Sequence, residues 1–204
     1  MTLIDLTHPF TDNMPVYPGD PAARLHAAAS IGKEGYSDHK LETTVHVGTH
    51  VDAPAHMIEG GKMIHHLPLE AFCGKGVVMD VRGKKKIDIE IQEYTDIKKG
   101  DIVLFCTGFS KRYHEPSYFA DYPVMTEAVA HELTTRQVEM VGFDTPSPDR
   151  APYPVHKILL GAGILIIENL TNLEALLAHT TFDIEAFPLA LAADAAPARV
   201  IARV

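Results

Sequence analysis

Four residues of metal-binding type stand within eleven positions of this chain: His46-Val47-Gly48-Thr49-His50-Val51-Asp52-Ala53-Pro54-Ala55-His56. From His46 the spacing runs +4 to His50, +2 to Asp52 and +4 to His56. Imidazole nitrogen and carboxylate oxygen are the usual ligands of a catalytic divalent ion, with Zn²⁺ favoured and Mn²⁺ or Fe²⁺ compatible. Asp52 carries two oxygens and can bridge two ions about 3.5–4 Å apart, the usual separation in two-metal sites. A lone histidine beside a glycine turn usually only makes a hydrogen bond, but four such residues at fixed spacing argue for coordination. Three histidines and one aspartate leave too little negative charge for two divalent ions. His156, in a short helical segment after Pro154, and Glu168, at the end of an apolar run, are the distant candidates. A carboxylate ending a buried strand is costly unless paired or metal-bound.

The elements that must position these residues follow from the rest of the pattern. Gly48 and Thr49 interrupt the motif and Pro54 follows it, so a strand leading into a tight turn fits better than a helix face. Strand-like runs cover 41–45, 76–81, 101–106, 138–143, 163–167 and 198–204, several of them short and apolar as buried strands are. Helical segments are expected at 126–133, after a Thr cap; at 154–160, with Pro first and Gly161 after the end; and at 172–178. The first 40 residues, with Pro9, Pro15, Pro18, Gly19 and Pro21, read as loop, either a frayed arm or a wrap over a neighbouring surface. No repeat or linker divides the chain, so residues 1–204 are expected to form one mixed α/β domain in which strands outnumber helices.

Composition excludes other classes of function. With 18 Lys and Arg against 27 Asp and Glu the formal charge is −9, which argues against nucleic acid and anionic membrane as partners. The longest basic run, Lys84-Lys85-Lys86, reads as a solvated turn. No apolar run approaches the roughly 18 residues of a membrane span, and the N-terminus shows no secretion signal. Cys73 and Cys106 lack a CxxC pattern and read as reduced core residues of a cytoplasmic protein. No serine nucleophile elbow competes: Thr107-Gly108-Phe109-Ser110-Lys111 lacks the GxSxG spacing. Six of the 12 histidines lie between His39 and His66. His65-His66 has no partner at ligand spacing and reads as surface.

The motif His46-x-Gly-Thr-His50-x-Asp52-x-Pro54-x-His56 resembles the signature of the metal-dependent cyclase family, which includes bacterial kynurenine formamidases and isatin hydrolases. The resemblance extends along nearly the whole chain, through Ile4-Asp5-Leu6-Thr7-His8-Pro9, Val16-Tyr17-Pro18-Gly19-Asp20, the segment from Gly142 to Asp149 and the closing strand from Ala192. It implies a swivelling β/β/α fold, a mixed sheet with few helices, and a homodimer or homotetramer. It implies His46, His50 and Asp52 around one ion, and Asp52, His156 and Glu168 around a second, with His56 as the catalytic histidine. It places Tyr17 in the pocket, sometimes across a subunit boundary, and makes Asp144 and Ser147 candidate substrate contacts beside it. The formamidase branch has Trp before Pro-Gly-Asp and Gly after the last ligand, where this chain has Tyr17 and Asn169.

The activity so implied is hydrolysis of the C–N bond of a small linear amide, an N-formyl arylamine of the N-formylkynurenine type. Two Zn²⁺ ions, or Mn²⁺ in their place, would lower the pKa of a water from 15.7 toward about 7 and polarise the carbonyl. His56 would carry the proton, first as base and then as acid. A ring-opening hydrolase of a lactam, imide or lactone could use the same ligands. The remaining reading is a metal-binding protein without catalysis, whose site would be closed by four ligands.

Overall fold

The structure, a computed structural model, describes residues 1–88 and 97–204. Strands β1 (Leu3–Asp5) and β2 (Arg24–Ala29), helix α1 (Ile31–Glu34), and strands β3 (Asp38–Glu42) and β4 (His50–Asp52) form the first part. Then come β5 (Cys73–Asp80), β6 (Lys86–Ile87), β7 (Ile102–Cys106), β8 (Val124–Met125), α2 (Glu127–Arg136) and β9 (Met140–Phe143). Helix α3 (Pro154–Gly161) and strands β10 (Leu165–Glu168), β11 (Phe182–Pro188) and β12 (Ala195–Arg203) complete the chain. Short 3₁₀ turns join several of them, including Pro54–His56 and Leu173–Ala178.

The strands close into a barrel. Its order is β12-β11-β5-β7-β9-β10-β4, and β4 returns to pair with β12; β1 extends the ring along the remaining edge of β12. Strands β5, β7, β9 and β10 run parallel, whereas β4, β11 and β12 pair antiparallel and supply the closure. This is the mixed α/β architecture with few helices that the sequence implied.

Alternation along the strands explains the two cores. Ile102, Leu104 and Cys106 point inward with Leu165, Ile167, Ile184, Val200 and Ala202. Val103 and Phe105 point outward and are covered by Val129, Ala130 and Leu133 of α2 and by Val155, Leu159 and Leu160 of α3. Strands covered on both faces must be apolar at successive positions, which is why the parallel strands read as continuous hydrophobic runs. Helix α2 starts where its cap does: Thr126 Oγ1 accepts from Val129 N–H at 3.5 Å.

Several expectations change on contact with the fold. The segment expected as strand over 41–45 leaves the ladder after Glu42, and residues 43–49 form the turn. In the motif itself the order is therefore turn first and strand second. The N-terminal 40 residues are no frayed arm: they include the β2–β3 hairpin, and Met14 and Ala23 bury against Tyr113, Tyr118 and Tyr122. Strand β11 was not anticipated, although Phe182, Ile184 and Ala186 alternate with Asp183 and Glu185. Cys106 is a buried free thiol, but Cys73 is exposed, because it opens β5 where the chain emerges from a 3₁₀ turn. His65 and His66 are exposed, and so is the run Lys84 to Lys86. Among the described residues no helix is long and apolar enough to cross a membrane.

Gly142 is one of the tight points of the barrel. A Cβ there would lie 2.5 Å from Leu104 Cδ2 and 2.7 Å from Leu170 Cδ1. Gly142→Ala is expected to destabilise the fold by about 1–3 kcal/mol through overpacking, read as a lowered urea midpoint with an unchanged slope.

Candidate metal centre

Strand β4 carries the centre. His50 and Asp52 are two residues apart and share one face of the strand. Antiparallel pairing sets Glu168, the last residue of β10, directly opposite His50. The result is a buried junction: His50 Nε2 lies 3.4 Å from Asp52 Oδ1 and 3.4 Å from Glu168 Oε2. Helix α3 brings His156 to the same place, with Nε2 3.3 Å from Glu168 Oε1 and 3.9 Å from Asp52 Oδ2. His46, at the start of the turn, puts Nδ1 2.9 Å from Asp52 Oδ1.

Each imidazole is aimed by its other nitrogen. His50 Nδ1 is 2.8 Å from Gly48 O, which leaves Nε2 to face the carboxylates. Gly48 is required for that turn, having φ of +64° and no space for a Cβ, which would come within 2.7 Å of Met14 Cε. His156 Nδ1 lies 2.6 Å from Asp149 Oδ1, while Asp149 Oδ2 accepts from Val155 N–H at 2.6 Å. Asp194, just before β12, places one oxygen 2.9 Å from His46 Nε2 and 3.1 Å from His56 Nδ1. Ring orientation by an outer carboxylate or carbonyl is the arrangement metal-ligating histidines adopt.

Two triads of potential ligand atoms result, each with all three atoms within 4.8 Å of one another: His46, Asp52 and His56, and His50, Asp52 and Glu168. Asp52 belongs to both. The six residues singled out in the sequence thus meet in one cluster. His46 and His50 fall in different triads, because Asp194 turns His46 toward His56. His156 flanks the Glu168 side rather than completing a triad.

Electrostatics favours positive charge beside the buried carboxylates. Asp52 and Glu168 are buried, and among the described residues His50 Nε2 and both oxygens of Asp52 have no hydrogen-bond partner of acceptable geometry. Burial opposes charge on His50, yet the Asp52 and Glu168 carboxylates raise its pKa well above the ordinary value. Burial likewise opposes charge on Asp52, but His50 and His46 hold it well below the usual carboxylate range. For His156 burial is outweighed by Asp149 and Glu168, and its pKa is raised to about 10. Protons on these imidazoles occupy the role a cation would take, and the oxygen and nitrogen donors fit a divalent ion of the zinc or manganese type.

His46, His56, His156 and Glu168 of the cluster line a cavity of about 280 Å³ together with Tyr17, Met57, Phe119, Ser147, Tyr153 and Asn169. Asp144, proposed as a substrate contact, does not reach it. Its buried carboxylate accepts from Thr107 N–H at 2.9 Å, from Thr107 Oγ1 at 2.5 Å and from Gly108 N–H at 2.8 Å, so it anchors the loop after β7. Burial raises it to about 6.

The family described as "Putative cyclase" matches residues 4–150. The chain belongs to that family. It is 31% identical to a kynurenine formamidase of Salinibacter ruber over 212 residues, covering 100% of this chain and 98% of the relative. Among solved structures, isatin hydrolase A from Labrenzia aggregata superposes with a TM-score of 0.88 at 26% identity, over 100% of this chain and 93% of that one. A "predicted metal-dependent hydrolase" from Bacillus stearothermophilus matches at 31% identity and a TM-score of 0.80, over 98% and 97% of the two chains. A divalent metal dependence is thus supported from both the relatives and the donor set.

Asp149 and Asp194 are the two functional positions the sequence reading did not assign. Asp149 was visible as the last residue of the segment from Gly142 and could have been suspected from its place before a helix. Asp194 follows an alanine-rich stretch and offers no local pattern.

Ion binding must expel protons from His50 and His156, since only neutral imidazole coordinates. The raised pKa of His156 stabilises the ion-free fold fully below 6.5, and that contribution is lost as pH rises toward about 10. The Tm of chelator-treated protein is therefore expected to fall between pH 7 and pH 9. Added Zn²⁺ or Mn²⁺ should raise it more at pH 9 than at pH 7, which differential scanning calorimetry at both values would check.

Proposed function

We propose that this chain is a metal-dependent hydrolase that cleaves the C–N bond of a small linear amide, an arylformamidase acting on N-formyl arylamines. The observation that carries the reading is His56. Its Nδ1 is taken by Asp194 at 3.1 Å, and its ring borders the cavity directly beside the candidate ligands. Two ions are proposed, Zn²⁺ first and Mn²⁺ as the alternative, held by His46, His50, Asp52, His156 and Glu168. When bound, they would polarise the substrate carbonyl and acidify water.

The chain's own groups do the rest. Asp194 accepts from His56 Nδ1–H and fixes the tautomer whose Nε2 is a base. Nε2 takes the proton of the attacking water and returns it to the leaving nitrogen. Tyr17, Met57 and Phe119 give the cavity an apolar wall suited to an aryl ring, and Ser147 adds a hydroxyl beside it. The Salinibacter ruber kynurenine formamidase supports this substrate class. A second reading, ring-opening of a lactam, imide or lactone, is favoured by the likeness to isatin hydrolase A and uses the same groups. A non-catalytic metal site is disfavoured by His56, since a closed structural site would have no use for a base on the cavity wall.

Compartment and assembly complete the proposal. Two free cysteines accord with a reducing cytoplasm. The β2–β3 hairpin projects with Ile31 73%, Tyr36 60% and Leu41 49% exposed, and a homodimer or homotetramer would cover them. Light scattering coupled to gel filtration should give at least twice the 22.4 kDa chain mass, and Tyr36→Glu should shift it toward the monomer.

For catalysis, His56→Ala is expected to lower kcat by roughly 10²–10⁴-fold on N-formyl arylamines while metal content, measured by elemental analysis, stays near wild type. Full activity in His56→Ala would sink the assignment of the base.

A further inference from the structure

Asn169 sits one residue beyond Glu168 and borders the same cavity, yet nothing in the proposed reaction uses it. It is 5% exposed. Its backbone has φ of +55°, a left-handed conformation that asparagine tolerates better than most residues. Three hydrogen bonds hold it, the first from its own N–H to Thr145 O at 3.0 Å. Its carbonyl oxygen accepts from Thr49 Oγ1 at 2.6 Å, and its side-chain Oδ1 accepts from the hydroxyl of Tyr118 at 2.9 Å. Tyr118 is fully buried and packed between Phe109, Tyr113 and Phe119, and its hydroxyl makes no other hydrogen bond among the described residues.

That contact decides which way the amide faces. A phenol with one buried partner donates to an acceptor, so Oδ1 is turned to Tyr118 and Nδ2 is turned away from it. Nδ2 makes no hydrogen bond among the described residues, and it is not one of the polar atoms sealed from solvent. For a residue this buried on the cavity wall, the opening that Nδ2 meets is the cavity. Asn169 thus presents a neutral, preset N–H donor to a cavity also lined by Glu168, whose carboxylate repels acceptor oxygens.

We infer that Asn169 is a substrate-recognition residue whose Nδ2–H bonds a carbonyl or carboxylate oxygen carried by the substrate beside the bond that is cut. Ions held by the candidate ligands would polarise the scissile carbonyl, which leaves the neutral donor for a second oxygen. This deepens the amide-hydrolase reading and rests on it for the identity of the cavity.

The test compares two probes on zinc-loaded enzyme. Formanilide carries only the scissile carbonyl, and 2-formamidoacetophenone adds an adjacent ketone oxygen. Asn169→Gly suits the positive φ and is expected to cut kcat/KM for the ketone probe roughly tenfold, the scale of one hydrogen bond, and for formanilide by less than about twofold. Tyr118→Phe, which frees the amide without deleting it, should reduce the preference for the ketone probe in the same direction. A purely structural role would lower both probes alike, and that outcome overturns the assignment. Independently of turnover, the Asn169 side-chain ¹⁵NH₂ signal of wild type should move on addition of 2-aminoacetophenone and stay put with aniline. A selective shift without hydrolysis of either amide would reject the reaction and keep the donor. Hydrolysis with an unchanged probe ratio and no shift would reject the donor alone.

Discussion

A carboxylate with no hydrogen-bond partner among the described residues, Asp52, sits on a three-residue strand with 0% of its surface exposed. Burying an unpaired carboxylate costs several kcal/mol, and the group neutralises unless something positive stands beside it. Everything around Asp52 supplies or orients that positive charge. His46 and His50 approach its oxygens, Glu168 and His156 extend the cluster, and Gly48, Asp149 and Asp194 turn the rings inward. The barrel in turn exists in a form that keeps this strand between two partners, β10 on one side and β12 on the other. The chemistry of the centre and the closure of the sheet are the same structural fact.

Charge balance also explains why the ligands come from three distant parts of the chain. The eleven-residue motif alone brings one carboxylate to three imidazoles. Glu168 must come from the end of a parallel strand, where the barrel opens and a polar group can be tolerated. In open α/β sheets ligands bind outside the carboxyl ends of the strands, and the same logic places this centre beyond β10 although the sheet here is closed. His156 comes from the first turn of α3, where Asp149 satisfies the unpaired N–H groups of the helix start and the imidazole at once. The neighbouring Asp144 has the opposite fate. Also just beyond a strand, it is taken up by hydrogen bonds from Thr107 and Gly108.

Much of this was legible in the sequence because it is local. The motif spacing named His46, His50, Asp52 and His56, and hydrophobic runs located the parallel strands, since burial on both faces leaves an unbroken apolar signature. What depends on distant pairing was not legible. Asp194 stands 148 residues from His46 and 138 from His56, and only the β4–β12 register brings them together. Strand β2, Arg24-Leu25-His26-Ala27-Ala28-Ala29, carries no apolar face to betray it, as it lies largely exposed and is held by its partner β3 rather than by a core. Strand β11 did alternate, and there the pattern was simply not read. Asp144 shows the limit of position as a guide, since a carboxylate near a site can serve a loop instead of a ligand.

Strand β4 has one more implication. It is three residues long and is the piece through which the ring is joined end to end. So short a segment contributes few ladder bonds of its own, and the closure leans on the side chains it carries. A ligand that binds only the closed ring adds RT ln(1 + [L]/Kd) to its stability, about 2.7 kcal/mol at a hundredfold excess over Kd. An ion held at Asp52 would therefore act as a clasp: the element that makes the protein competent would also be what keeps the barrel shut, and its supply would set how long each molecule survives.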